Sequence, residues 1–310
     1  MKEILFLTPI FKEMIWGGER LKTEFGYEIP SNHTGECWVI SAHEHGDCII
    51  SEGKFQGKSL SSLWNNHKEL FGNLPMENFP LLTKLIDAKT DLSIQVHPNN
   101  EYAKNYENGS WGKTECWYIL DCDEDAKIVI GHHAKNKAEV ERMILNKEWD
   151  SFIRVVDLKK GDFFQIDPGC VHAIKGGILI LETQRSSDIT YRVYDYDRLS
   201  DGKPRELHIQ KSIDVITAPF IEKNIKPKKE IEQAYHKTHF ITTEYYTVEK
   251  IEVIEAVTLK QEKPFLIMSV IEGSGFIDGK VIEKGSHFII PCGYGEFILK
   301  GAMTIIQSYV

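Results

Sequence analysis

Gln95 and His97 stand two residues apart in "LSIQVHP", Glu115 follows in "TECWYIL", and His172 comes just after "DPG". Imidazole nitrogen and carboxylate oxygen are the donors that a divalent ion such as Zn²⁺ accepts, and a neutral amide oxygen can complete such a set. With one position left to water or substrate, the ion acts as a Lewis acid. A set holding a single carboxylate also leaves the centre net positive, able to polarise a carbonyl or hydroxyl oxygen. Lys113 lies two residues before Glu115, Ser93 two before Gln95, and Lys84 one apolar run earlier. Two ammonium groups and a hydroxyl thus alternate in step with the donors, as the binding groups of an anionic substrate would. The competing reading makes both lysines solvated surface charges.

Such donors need rigid elements to bring them together. Leu92, Ile94 and Val96 alternate with Ser93, Gln95 and His97, the pattern of a strand with one apolar and one polar face. Most of the chain reads the same way, as short runs rich in Val, Ile, Tyr and Phe broken by Gly, Asp and Pro, which predicts an all-β sandwich or barrel. Three helices are expected: Ser59 caps "LSSLWNNHKELF", Asn136 caps "KAEVERMILNKEW" (137–149), and Pro204 opens "RELHIQKSIDVI" with Ile209, Ile213 and Ile216 on one face. The charged segment 222–236 reads as a linker between a catalytic metal-binding unit, 1–221, and a small unit, 237–310.

A weak internal repeat supports that division. "KKGDFFQIDPGCVHAIKGGILILE" (159–182) and "EKGSHFIIPCGYGEFILKGAMTII" (283–306) share Lys-Gly, a strand, a Pro/Gly turn and a second strand, with Pro168 matching Pro291. This grammar resembles the second conserved motif of the cupin superfamily, a double-stranded β-helix or jelly roll in which a histidine follows the turn. The resemblance implies two cupin domains, with Gln95, His97, Glu115 and His172 inside the first. The second carries Gly295 where the first has His172, so it is expected to be metal-free.

Other functions are set aside. With 37 Lys plus Arg against 46 Asp plus Glu, a net charge of -9, no broad basic face for nucleic acid is expected. The six cysteines lack paired spacing, which suits free thiols in a reducing compartment. "ILFLTPIF" is too short to span a bilayer, and no apolar run approaches about 18 residues, so a cytoplasmic protein is expected. His43 and His45 in "SAHEHGD" form a rival pair, but Gly46 and Asp47 make that stretch a turn and no strand supplies a carboxylate at a suitable distance. His132 and His133 read as loop. "GSWGKT" fails as a phosphate loop because Glu107 stands where a glycine is required.

Taken together, "IWGG", "FPLLTKLIDAKTDLSIQVHP", "GKTECWYIL", "PGCVHAI" and "ETQRSSDITYRVYDYDR" make the chain similar to the type I mannose-6-phosphate isomerases (phosphomannose isomerases) in their short bacterial form. The resemblance covers nearly the whole length. It implies one zinc ion per chain held by Gln95, His97, Glu115 and His172, and an active-site role for Arg192. Long forms carry a large helical insertion between the glutamate and the second histidine, reduced here to about one helix. The implied reaction interconverts D-mannose 6-phosphate and D-fructose 6-phosphate through an enediol, whose negative charge needs a cation. Arg192 stays protonated and can meet that charge, with Lys113 as its catalytic companion. Ser93, Lys84, Lys113 and Arg192 are the expected substrate-binding set. The local alternative for Arg192 is an ion pair with Asp188, Asp195 or Asp197. The proton acceptor stays open between a metal-bound hydroxide and a nearby Glu, Asp, His or Lys. Two rivals remain: a cupin dioxygenase, since His97, Glu115 and His172 also suit non-haem iron, and a non-catalytic sugar-binding cupin. A phosphorylated sugar is the expected partner, with the protein a monomer or homodimer.

Overall fold

The structure is a computed structural model describing residues 3–200 and 202–310. Strands dominate and helices are few. A six-stranded antiparallel sheet runs in the order Phe163–Ile166, Glu115–Cys122, Ile178–Arg185, Leu81–Ala88, Thr34–Ile40, Ile10–Gly18. A five-stranded sheet follows the order Ile153–Asp157, Lys127–His132, His172–Ile174, Ile94–Val96, Tyr191–Tyr194. The two form a jelly roll.

Side-chain alternation explains how the sheets pack. Ile86, Trp117, Ile119 and Ile180 from the first sheet meet Ile128, Ile130 and Ile174 from the second in one cluster. The intervening residues Leu81, Leu85, Cys116, Tyr118 and Leu181 point the other way, into a cluster shared with Phe265, Ile267 and Ile306 of the C-terminal region. Every residue of Leu81–Ala88 is therefore buried, and the strand reads as an almost continuous apolar run because both its faces are covered. On the outer face of the five-stranded sheet, Ile94, Val96, Val129, Ala173 and Tyr191 pack under Val140, Met143, Ile213 and Ile216.

The C-terminal region is a ten-stranded sheet that also takes in the N-terminal strand Leu5–Thr8, paired with His287–Pro291. Lys228–Ile231, inside the segment expected to be a linker, pairs with Tyr235–Thr242 as an edge strand. Its four residues are all exposed. Lysines at such an edge disfavour pairing with another chain.

Two expected helices form with the expected caps, Ser59 accepting from the Ser62 amide and Asn136 from the Glu139 amide. Each is shorter than expected. The first stops at Asn66 and continues as a 3₁₀ turn to Phe71, ending on Gly72 at φ 68°. The second stops at Leu145, because Lys147 takes φ 56°, before a short turn at Trp149–Phe152. The third does not start at Pro204. Lys203–Pro204 pairs with Leu199–Ser200 in a two-stranded ribbon, and the helix is Ile209–Val215. The reason lies in side chains: Arg205 is drawn to Asp195, and His208 Nδ1 accepts from the Arg192 amide at 3.2 Å, so 205–208 serve the sheet. Helices Arg20–Phe25 and Asn100–Tyr106 are not foreseen by the sequence reading, although Asn99 caps the latter through the Tyr102 amide. All six cysteines are free thiols.

Candidate active site

Pairing register gathers the first donors. Gln95 lies opposite His172 on one side and Arg192 on the other, so the three share one face of the five-stranded sheet. His97 follows Gln95 by one alternation. The turn before His172 is fixed to it, since the Gly169 amide donates to the His97 carbonyl at 2.9 Å. Gly169 has φ 83°, and a Cβ there would stand 2.3 Å from Thr217 Oγ1 and 2.8 Å from the Val215 carbonyl oxygen, so only glycine fits. Glu115 starts its strand on the facing sheet, opposite Ile166 and Gln184.

Across the gap, His97 Nε2 lies 3.4 Å from Glu115 Oε2, and His172 Nε2 lies 3.4 Å from Glu115 Oε1. All three side chains are 0–1% exposed. Each ring's Nδ1 is committed to a backbone carbonyl, His97 to Ile189 at 2.8 Å and His172 to Cys170 at 2.9 Å. A carbonyl only accepts, so Nδ1 carries the proton and both Nε2 lone pairs face the gap. Neither Nε2 nor either Glu115 oxygen has a hydrogen-bond partner. Apart from Oε2, which has the Lys113 ammonium 2.8 Å away, three buried acceptors would be left to cost several kcal/mol together, at about 1–3 each, unless a cation satisfies them. Their spacing fits one: a tetrahedral centre with bonds of about 2.1 Å has donor atoms about 3.4 Å apart. The residues present therefore fit a divalent metal ion, with Gln95 partly exposed beside them.

Burial pushes the His97 pKa down to about 3, and the Lys113 charge adds to this, so the ring is neutral and ready to coordinate. His172 is lowered for the same first reason, burial. For Glu115, burial alone would raise the pKa, but Lys113 and then His97 overcome it and hold the carboxyl well below the usual range. Lys113 Nζ sits 2.8 Å from Glu115 Oε2, outside the directions of a hydrogen bond.

Lys84 and Lys113 are each 5% exposed, so neither is a solvated surface lysine. Lys84 Nζ lies 3.3 Å from Glu36 and 3.6 Å from Glu182. Glu36 and Glu182 are brought to Lys84 by strand register, which the local sequence does not signal: Lys84 is opposite Glu182, which is opposite Trp117, and Trp38, two residues after Glu36, is opposite Lys84 on the other side. Burial, and after it the Glu115 charge, raises Glu182 to about 7. The Trp117 indole N–H donates to Glu182 at 3.1 Å, and the same ring meets His172 edge-on at 5.5 Å.

Arg192 is half-buried. Its Nη1 donates to the Glu206 carbonyl at 2.7 Å, while its Nε is buried without a partner. Among the described residues no ion pair joins it to Asp188, Asp195 or Asp197; Asp195 is held by Arg198 and Arg205 at 2.5 Å each. Ser93 is buried, just before the strand begins. Leu92 packs between the sheets and Ile94 outside them, so the alternation that pairs Ser93 with Gln95 fails there. His43 and His45 do meet a carboxylate, Asp188, contrary to expectation, because the stretch after Ile178–Arg185 folds back over them. His132 ends a strand rather than lying in a loop; its Nε2 contacts the Thr217 carbonyl at 2.9 Å. A cavity of 670 Å³ lined by Phe163, Pro168, Cys170, Phe220 and Lys223 contains none of the three candidate ligands.

A two-histidine, one-carboxylate centre held between the sheets of a jelly roll defines a metal-binding cupin. The type I phosphomannose isomerase catalytic-domain model matches residues 4–125, and the mannose-6-phosphate isomerase cupin-domain model matches residues 236–310. The chain is 51% identical over 314 residues to mannose-6-phosphate isomerase ManA of Bacillus subtilis, covering 99% of each. It is 45% identical to a mannose-6-phosphate isomerase of Streptococcus mutans, covering 100% of this chain and 99% of that one. A crystal structure of the mannose 6-phosphate isomerase from Bacillus subtilis superposes with a TM-score of 0.97 at 46% identity, over 99% of both chains. The chain belongs to the type I phosphomannose isomerase family, and it is an isomerase.

Proposed function

We propose that the protein interconverts D-mannose 6-phosphate and D-fructose 6-phosphate through an enediol, with one zinc ion per chain on His97, Glu115, His172 and Gln95. The observation carrying this reading is the convergence of the His97 and His172 Nε2 lone pairs on the buried Glu115 carboxylate from three distant segments, together with relatives named for that activity. When bound, the ion supplies Lewis acidity to the sugar oxygens. The chain's own residues do the rest. Arg192, always protonated, offers its unpartnered Nε to the oxygen charge that builds up as the enediol forms. Lys113 is assigned beside it, placed by its ion pair with Glu115. Lys84, Lys113, Arg192 and Ser93 are assigned to the anionic substrate. Glu182, with its pKa near 7, has the protonation behaviour that a group exchanging the C1/C2 proton requires at neutral pH. No helix among the described residues is long and apolar enough to cross a membrane, and we assign the protein to the cytoplasm.

The test is a coupled assay on mannose 6-phosphate before and after exhaustive chelation, with zinc added back. Activity should vanish with the metal and return with it. Activity that survives complete metal removal, or oxygen uptake in place of isomerisation, would overturn the proposal.

A further inference from the structure

None of the three candidate ligands comes from the C-terminal unit, yet the turn between its strands Tyr235–Thr242 and Thr247–Val253 reaches the segment that carries Lys113 and Glu115. The turn is internally fixed: Thr243 Oγ1 accepts from the amides of Tyr245 at 3.1 Å and Tyr246 at 3.0 Å. Tyr246, 1% exposed, donates its hydroxyl proton to Gln165 Oε1 at 3.0 Å. Gln165 Nε2 then donates to Thr114 Oγ1 at 3.0 Å, and Thr114 lies between Lys113 and Glu115. On the other flank, Tyr245 accepts from Asn100 Nδ2 at 2.8 Å, and Asn100 Oδ1 accepts the Gly112 amide at 3.0 Å. The Arg185 guanidinium is sandwiched between Tyr245 and Trp111, 4.6 and 4.4 Å from the ring centroids.

We infer that Tyr245 and Tyr246 are positioning residues, through which the C-terminal unit braces segment 111–115 from both sides and so sets the placement of Lys113 and Glu115. Gln165 is buried, and its amide is fully used by this chain, so the relay has a single low-energy arrangement. This inference builds on the isomerase reading above. It also gives the C-terminal unit a role in the chemistry.

The test compares Tyr246→Phe, Thr114→Val and the double variant, with Tyr294→Phe as control. Tyr294 bonds Asp278 at 2.7 Å within the C-terminal unit. Three quantities are read: metal per chain, kcat and KM on mannose 6-phosphate, and hydrogen exchange at amides 112–115 of the metal-free protein. Tyr246→Phe should lower kcat by about tenfold with KM within about twofold, and raise exchange at 112–115 by about tenfold. The double variant should be no worse than the worse single one, because both cut the same relay. Tyr294→Phe should change neither kcat nor exchange. Unchanged kcat and exchange in Tyr246→Phe, or fully additive losses in the double variant, would overturn the brace. If Tyr246→Phe does not fold, Tyr245→Phe decides: exchange at the Gly112 amide must rise, and an unchanged rate refutes it. Wild-type protein inactive on mannose 6-phosphate would remove the isomerase reading alone, since the exchange measurement needs no turnover.

Discussion

Among the described residues two clusters contain a pair of histidines and one carboxylate, and they differ in where their ring protons point. In His97, Glu115 and His172, backbone carbonyls take the Nδ1 protons, so lone pairs converge in a dry space. In His43, His45 and Asp188 the ring protons point at the acid instead. His43 Nδ1 accepts the His45 amide at 3.2 Å, which puts the proton of its neutral ring on Nε2, 3.6 Å from Asp188 Oδ1. His45 Nδ1 donates to the other carboxylate oxygen. The side chains are 14%, 62% and 35% exposed, so water serves whatever the cluster leaves unpaired. The same residue types therefore give a candidate metal site or a surface ion pair according to whether a backbone carbonyl or a backbone amide meets the ring Nδ1.

Breaking the comparison outright takes one pair of substitutions. His97→Ala should remove the metal and lower activity by about three orders of magnitude or more, whereas His43→Ala keeps the ion at full stoichiometry. Elemental analysis beside the coupled assay decides this, and metal lost from the His43 variant alone would move the centre to the other cluster. A smaller effect sharpens the division between holding metal and doing chemistry. Arg192→Lys should retain metal and lose roughly 100-fold in kcat, because an ammonium cannot both keep the Glu206 carbonyl bond and present a second donor as the guanidinium does. An unaltered kcat would remove Arg192 from catalysis.

The mildest test is a histidine titration of the metal-free protein by NMR. His45, bonded to the Asp188 carboxylate, should protonate above the usual 6.5, while His97, buried near Lys113, should stay neutral down to about 3. The linkage signs are opposite. A raised histidine contributes stability below pH 6.5 that is lost as pH climbs through its folded value; His45 is exposed, so little is lost. For a lowered one, the unfolded chain binds the extra proton. The metal-free protein should therefore lose stability as pH falls from 6.5 towards 3 through His97. Coincident titration of the two rings would erase the electrostatic distinction.

Much of the site was legible in one dimension. Period-2 alternation in "LSIQVHP" puts Gln95 and His97 on one face; in the structure Gln95 lies opposite His172, and the His97 and His172 rings stand 4.6 Å apart. Cap chemistry located two helix starts at Ser59 and Asn136. The reading failed where partners come from far along the chain. Pro204 is a sound local signal for a helix start, yet Asp195 and Arg192 claim Arg205 and His208 first. Glu36 lies in no quoted motif and Glu182 merely opens "ETQRSSDITYRVYDYDR"; only the registers that line up Trp38, Lys84, Glu182 and Trp117 across four strands bring their charges together.

Residue types and their spacing by themselves determined an all-β protein, with candidate donors for a divalent ion and candidate cations for an anionic substrate, because strand period and ligand chemistry are local properties. Folding alone decided which histidine pair turns its Nε2 lone pairs on a buried carboxylate, which carboxylates face the two buried lysines, and that a turn from the C-terminal region is hydrogen-bonded through Gln165 to the segment holding Glu115. Those outcomes depend on which backbone carbonyl or carboxylate lies within about 3 Å of a given atom, a relation between distant segments that exists only once the sheets have closed.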